Sequence, residues 1–199
     1  MASHADVNEP DKKIAFVTNK DWPELTPDDH VAAQCLRLRG ADCFPIRWDS
    51  VDVNWKSFDL IVIRSCWDYH KRVNAFLGWI EYLGRLELPF WNPPDVIRWN
   101  YNKFYLKSLQ DVGVKIPPTV FLTRETEASL SELIKSNGWE KAVVKPAVSA
   151  TAYQTWIAYP EKNERHEENF RAMLHKGGVL VQEFQDEIVR DGEWVAHFF

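Results

Sequence analysis

Ala142-Val143-Val144-Lys145-Pro146 is a short apolar strand that ends in a cation. An interior strand gives a lysine no structural purpose, because a buried charge is costly unless an anion or a carboxylate receives it. Farther along, Val179-Leu180-Val181-Gln182-Glu183-Phe184 repeats the arrangement, an apolar run passing into hydrogen-bonding groups, and Gly192-Glu193-Trp194 follows it. A strand-end lysine facing a second strand that ends in polar groups makes a cradle suited to a nucleotide.

Between and around these strands the second half of the chain reads as α+β. Lys103 to Val112 has helical character and is closed by Gly113, and Pro117-Pro118 marks a break. Thr119 to Leu122 reads as a strand, 126–136 as a helix, and 154–159 as a strand. Residues 161–175 form a charged helix with Phe170, Met173 and Leu174 inward, and Gly177-Gly178 turns the chain into the strand 179–184. His166-Glu167 falls on the charged part of that helix and is expected on its solvated surface.

The first half alternates strand and helix signals, which predicts a parallel sheet with helices on both faces. Ile14 to Thr18 is an apolar strand. Asp28 to Arg39 reads as a helix with Pro27 in its first turn, Asp28 and Asp29 complementing its dipole, and Gly40 ending it. The helical spacing of Val31, Cys35 and Leu38 predicts the buried face of this helix. Phe44 to Trp48 is expected as an edge strand because of Pro45. Leu60-Ile61-Val62-Ile63 reads as a central strand buried on both faces. Residues 72–86 return to helical period and Phe90-Trp91-Asn92 is a short strand. Around residues 93–100 the periodicity breaks, and a domain boundary is placed near 95–118.

Ligands of open parallel sheets lie beyond the carboxyl ends of the strands. Arg64-Ser65-Cys66-Trp67-Asp68-Tyr69-His70 occupies that position. It offers an arginine for a carboxylate, a hydroxyl, an aromatic wall and a base; the alternative is a polar loop with Trp67 and Tyr69 packed as core.

Composition bounds the remaining classes. The 199 residues are 45% apolar and 27% charged, as in a globular protein with a sizeable core. Ten tryptophans are expected mostly in that core, with some available to stack on a planar ligand. A net charge of −5 with interspersed signs argues against nucleic acid as a partner. Cys35, Cys43 and Cys66 show neither paired nor metal-binding spacing and fit a reducing cytoplasm. Residues 1–12, a polar tail, lack the features of a signal or transit peptide, and no apolar run is long enough to span a membrane. Walker-type, dinucleotide, Gly-x-Ser-x-Gly and His-Glu-x-x-His motifs are absent.

Three ordered segments resemble the ATP-grasp superfamily of carboxylate–amine ligases: Trp99-Asn100-Tyr101-Asn102-Lys103-Phe104-Tyr105-Leu106, Val143-Val144-Lys145-Pro146, and Val179 to Phe184 with Gly192-Glu193-Trp194. Arg-Ser-x-Trp-Asp-Tyr at 64–69 and the Gly-Glu-Trp ending are similar to the branch with glutathione-synthetase-like and D-cycloserine-forming ligases. The resemblance implies an α/β fold, with a doubly wound parallel-sheet domain at 13–95 followed by a partial α+β ATP-grasp domain at 96–199. It implies that Lys103 and Lys145 hold the α- and β-phosphates of ATP, that Ser149 and Thr151 donate to phosphate oxygens, that Gln182, Glu183, Phe184 and Gln185 form the adenine hinge, and that Glu193 accepts from the ribose. Arg64, Ser65 and Asp68 are the substrate-side residues it suggests. Against this stand a surface position for Lys103, a structural ion pair for Lys145 and a solvated turn for Glu193.

Two departures from the family pattern matter. The loop Ala147-Val148-Ser149-Ala150-Thr151-Ala152 lacks the usual glycines and is expected to be stiff. The Mg²⁺ ligands of the family are expected beyond residue 199, so the sequence reads either as part of an ATP-dependent ligase or as a non-catalytic nucleotide-binding or scaffolding protein. Expected partners are ATP and small carboxylate and amine substrates, with no nucleic acid and no membrane. An apolar edge at Phe198-Phe199 is expected to promote self-association into a homo-oligomer.

Overall fold

The fold comes from a computed structural model that describes residues 12–192 and 194. Glu193 and the Phe198-Phe199 edge lie outside the described residues. The chain divides into two compact units, Met1–Trp99 and Asn100–Phe199.

The first unit is built on β1 (Lys12–Thr18), α1 (Pro27–Arg37), β2 (Ala41–Arg47), β3 (Leu60–Ile63), α2 (Val73–Gly84), β4 (Phe90–Trp91) and α3 (Pro94–Asn100). Its strands form an all-parallel sheet in the order β2-β1-β3-β4. β2 is the edge on which Pro45 is tolerated, and β3 is internal, as its β-branched run predicts. Alternation along β1 and β3 separates two cores. Ala15, Val17, Ile61 and Ile63 pack with Phe76, Ile80 and Leu83 of α2, together with Trp48 and Trp55. Ile14, Phe16 and Val62 pack on the other face with Ala32, Ala33 and Leu36 of α1.

Two expectations for this unit, and one for the tryptophans of the whole chain, are corrected. The inward stripe of α1 is the buried Asp29 with the partly buried Ala32, Ala33 and Leu36, whereas Val31 and Leu38 are exposed, and so is Cys35. Small residues headed by a carboxylate form this stripe, so apolar periodicity points to the wrong face. The stretch after Pro93 is the helix α3, because proline suits a first helical turn where its missing N–H has no partner. Of the ten tryptophans, Trp48, Trp55 and Trp139 are buried, while Trp22, Trp67, Trp91, Trp99 and Trp194 are exposed. The interior takes fewer indoles than composition suggests.

The second unit comprises α4 (Tyr105–Asp111), β5 (Thr119–Leu122), α5 (Leu130–Ser136), β6 (Ala142–Pro146), β7 (Trp156–Ala158), α6 (Glu164–Lys176), β8 (Val179–Glu183) and α7 (Asp186–Asp191). Its sheet is antiparallel, in the order β5-β8-β6-β7. Ser129 caps α5 in a reciprocal capping box with Glu132, which starts the helix later than the periodicity indicates. One face of the sheet carries Leu122, Ala142, Val144, Ala158, Val179 and Val181 and is buried under Leu130, Ile134, Phe170, Met173 and Leu174 of α5 and α6. His166 and Glu167 are half-buried rather than solvated, since Glu167 accepts the Leu130 N–H at 2.8 Å and pairs with Arg171 at 3.2 Å. The opposite face carries the fully buried Leu180 and the half-buried Val143, Lys145 and Gln182, whose polar members are considered next.

Candidate nucleotide site and the carboxyl ends of the parallel strands

Because β-strand side chains alternate, the residues opposite the buried face of the second unit share one surface. Register places Gln182 of β8 across from Thr119 on one side and Val143 on the other, with Lys145 beside Leu180. Lys145 Nζ donates to Gln182 Oε1 at 2.9 Å, and Gln182 Nε2 donates to Thr119 Oγ1 at 2.7 Å. The glutamine amide is thus oriented from both ends, and its oxygen faces the lysine.

Lys103 reaches the same surface from the segment before α4. Its backbone N–H donates to the Ala147 carbonyl at 2.7 Å, and its ammonium donates to the Ser149 carbonyl. Burial first, and then the Lys145 charge, push the Lys103 pKa down to about 8. Burial also lowers that of Lys145. Neither lysine has a carboxylate within ion-pair distance among the described residues. Two half-buried ammonium groups receiving only neutral oxygens form a site with unmet demand for an anion.

The other expected residues of this unit surround that pair. Ser149 is buried and its hydroxyl donates to the Pro146 carbonyl at 3.4 Å. Thr151 is exposed and donates to the Ala150 carbonyl at 2.8 Å. Thr151, Ala152 and Gln154 take φ values of 52°, 54° and 51°. The glycine-poor loop therefore adopts left-handed backbone that glycine would accept without strain, and a β-branched residue holds one of these positions.

At the end of β8, Glu183 N–H donates to the Pro118 carbonyl at 2.9 Å and Phe184 N–H to the Lys141 carbonyl at 3.2 Å. The Phe184 ring lies 4.2 Å under the Lys141 ammonium, which also pairs with Asp186 at 2.5 Å. Gln185 precedes α7 and its side chain donates to the Glu183 carbonyl at 3.4 Å.

In the first unit, Arg64, Ser65 and Asp68 follow β3 at the carboxyl end of the sheet. Arg64 is half exposed and its Nε donates to the Asp29 carboxylate, which also accepts from Ser65 Oγ at 2.6 Å. Asp68 is buried and accepts from Trp48 Nε1 at 2.7 Å. Trp67 is exposed, and Tyr69 packs against Phe76 with ring centroids 5.2 Å apart. Ser65 and Asp68 are thus engaged within the protein, whereas the outer edge of Arg64 faces out. Asp29 is the residue sequence reasoning missed. Its signal was the Thr26-Pro27 cap followed by small residues at the third and fourth positions after Asp29.

No group of three or more histidine, cysteine or acidic side chains is placed to hold a metal among the described residues. The described residues do not fit a magnesium ion. Burial, and next the Asp68 charge, push the Cys66 thiol far up, which leaves it an inert core group. No helix among the described residues is long and apolar enough to cross a membrane.

A parallel-sheet unit followed by an antiparallel-sheet unit is shared with known structures. The crystal structure of D-cycloserine synthetase DcsG matches with a TM-score of 0.80 at 21% identity, covering 90% of this chain and 62% of that chain. A RimK domain ATP-grasp protein from Sphaerobacter thermophilus matches with a TM-score of 0.62 at 15% identity, covering 87% of this chain and 64% of that chain. The fold is that of the ATP-grasp proteins.

Sequence comparison finds similarity to the same D-cycloserine synthetase. Residues 14–92 match the family described as the N-terminal domain of D-cycloserine synthetase DcsG. The cycloserine biosynthesis protein DcsG of Streptomyces lavendulae is 26% identical over 194 residues, which cover 94% of this chain and 63% of that protein. The chain therefore spans less than two thirds of the length of the curated relative it matches.

Proposed function

We propose that this chain binds ATP through its second unit, Asn100–Phe199, and belongs to an ATP-dependent ligase that joins a small carboxylate to an amine. The single observation that carries this reading is the pair of half-buried lysines, Lys103 and Lys145, that face neutral oxygens and no carboxylate. A polyphosphate answers that demand without a glycine-rich loop, because two ammonium groups offset its charge directly. The similarity to DcsG and the ATP-grasp fold support the same reading.

In this reading Lys103 and Lys145 take the α- and β-phosphates, and the hydroxyls of Ser149 and Thr151 turn toward phosphate oxygens. The strip Gln182 to Gln185 borders the adenine. Residues 13–95 serve as the substrate unit, with Arg64 offering its outer edge to a carboxylate. Chemistry in the whole enzyme would transfer the γ-phosphoryl group of ATP to the carboxylate oxygen, releasing ADP. The amine then attacks the acyl carbon and expels phosphate. Positioning and electrostatics supply most of the acceleration in such transfers.

Titration calorimetry with ATP tests the nucleotide part. Lys145→Met removes one charge-assisted contact worth about 1.5–3 kcal/mol, so affinity should fall by roughly tenfold or more. Binding that is indifferent to both Lys103→Met and Lys145→Met would remove the reading.

A further inference from the structure

Asp29 sits in the first turn of α1 with only 1% of its surface exposed, on a helix face otherwise made of Ala32, Ala33 and Leu36. An apolar side chain would serve packing at that position at least as well, because a buried ion pair is rarely a net source of stability. The carboxylate accepts from Arg64 Nε and from Ser65 Oγ at 2.6 Å. Burial raises its pKa, yet the hydrogen bonds from Ser65, Arg64 and Thr26 outweigh burial and hold it below the ordinary carboxyl value. It stays charged at neutral pH.

The consequence falls on Arg64. Its Nε edge is committed to Asp29, while the side chain remains 48% exposed. Its two terminal nitrogens make no hydrogen bond or ion pair among the described residues. The base of this arrangement is rigid. Asn19, 1% exposed, donates from Nδ2 to the Ser65 carbonyl at 2.7 Å, and Ser65 N–H donates to the Val17 carbonyl at 3.1 Å. These bonds tie the ends of the two central strands together at the position where open parallel sheets take ligands.

We propose that Asp29 is a positioning residue that presents the outer edge of the Arg64 guanidinium to the carboxylate of a small substrate. This rests on the ligase reading for what the bound carboxylate is used for, while the binding itself stands on the Asp29–Arg64–Ser65 geometry. A guanidinium held by Nε offers two parallel N–H donors that match a carboxylate, with the rotamer entropy already lost. Asp68, held by Trp48 inside the core, takes no part.

Modification of Arg64 by phenylglyoxal, followed by peptide mapping, tests this without knowledge of the reaction. Acetate, D-alanine and L-alanine serve as carboxylate probes, with acetamide and D-alanine methyl ester as controls that lack the carboxylate. At least one carboxylate should protect Arg64 in the wild-type chain, and its counterpart without a carboxylate should not. The half-protecting concentration should rise on the order of tenfold in Asp29→Asn, the worth of one charge-assisted bond. Ser65→Ala keeps the ion pair and should give a smaller rise in the same direction, which decides the matter if Asp29→Asn does not fold. The proposal is overturned if no probe protects Arg64, or if protection is unchanged in variants that melt like the wild type. Protection of Arg64 in a chain that binds no ATP would support this site and remove the ligase reading alone.

Discussion

The ammonium of Lys145 donates to Gln182 Oε1 at 2.9 Å across antiparallel strands whose register pairs Gln182 with Val143. A glutamine rather than a glutamate in that place leaves the lysine charge available to a ligand. Gln182→Glu would convert the contact into an ion pair, and the Thr119 hydroxyl could rotate to donate to the new carboxylate. The variant should unfold at higher urea concentration than the wild type, by up to about 1 kcal/mol for a half-buried pair. Its ATP affinity should fall at least roughly tenfold as the site becomes self-neutralised. Tight ATP binding by Gln182→Glu would mean that Lys145 does not serve the phosphates.

Lys103 makes nucleotide binding pH-dependent. With its pKa pushed down to about 8 by burial and then by Lys145, the free protein loses this charge at a pH where an ordinary lysine keeps it. ATP favours the protonated form, so affinity should be highest below pH 8 and should fall as pH rises beyond it. The complex should take up protons on binding, measurable by calorimetry in buffers of different ionisation enthalpy. Stability of the nucleotide-free protein should move oppositely. Between pH 8 and the ordinary value of 10.5, the unfolded chain holds a proton at Lys103 that the folded chain has released. Folding is therefore favoured as pH rises through this window. Melting curves of wild type and Lys103→Met should converge toward high pH, and parallel curves would exclude a lowered pKa at this residue.

Asp68 follows Arg64 by four residues yet serves a different purpose. It accepts the Trp48 indole N–H at 2.7 Å within the core, where Trp48 also meets Phe76 edge-on at 5.3 Å. Asp68→Ala strands a buried donor and should cost about 1–3 kcal/mol in urea unfolding. Arg64 should remain as reactive toward phenylglyoxal as before, because its own support comes from Asp29. Trp48→Phe removes this donor and leaves the buried carboxylate with only the more distant Arg72, at 3.9 Å, so it should destabilise as well.

Sequence made much of this legible where a single residue contradicts its surroundings. A lysine closing a β-branched run is such a contradiction, and the runs themselves mark β3, β6 and β8. What sequence hides is anything that depends on register or on a helix's rotation. The Gln182 amide meets Lys145 and Thr119 only because of how three strands align. The α1 helix misleads because Val31 and Leu38 imitate a buried stripe, while the true one begins with the charged Asp29 and continues with alanines. Pro94 reads as a breaker although it opens α3. In each case a local rule yields to a tertiary partner that the periodicity cannot contain.

Gly178 couples the backbone of the second unit to Lys103. Its carbonyl accepts the Ala147 N–H at 2.8 Å, and the Ala147 carbonyl in turn accepts the Lys103 N–H at 2.7 Å. A Cβ at Gly178 would lie 2.8 Å from Phe104 Cζ and 3.0 Å from the Ala147 Cβ. Phe104 adjoins Lys103 and packs edge-on against Phe121 at 5.5 Å, so the ring has little freedom to retreat. Gly178→Ala should therefore cost about 1–3 kcal/mol of stability, as overpacked cores do. The strain should pass through Ala147 and Phe104 to the lysine and weaken ATP binding although no ligand-contacting side chain has changed. Phe104→Leu, placed in the Gly178→Ala background, relieves the closest contact and should recover part of both losses. Urea unfolding and ATP titration of the two single variants and the double variant measure that coupling directly, and additive effects would show that the ring does not transmit the strain.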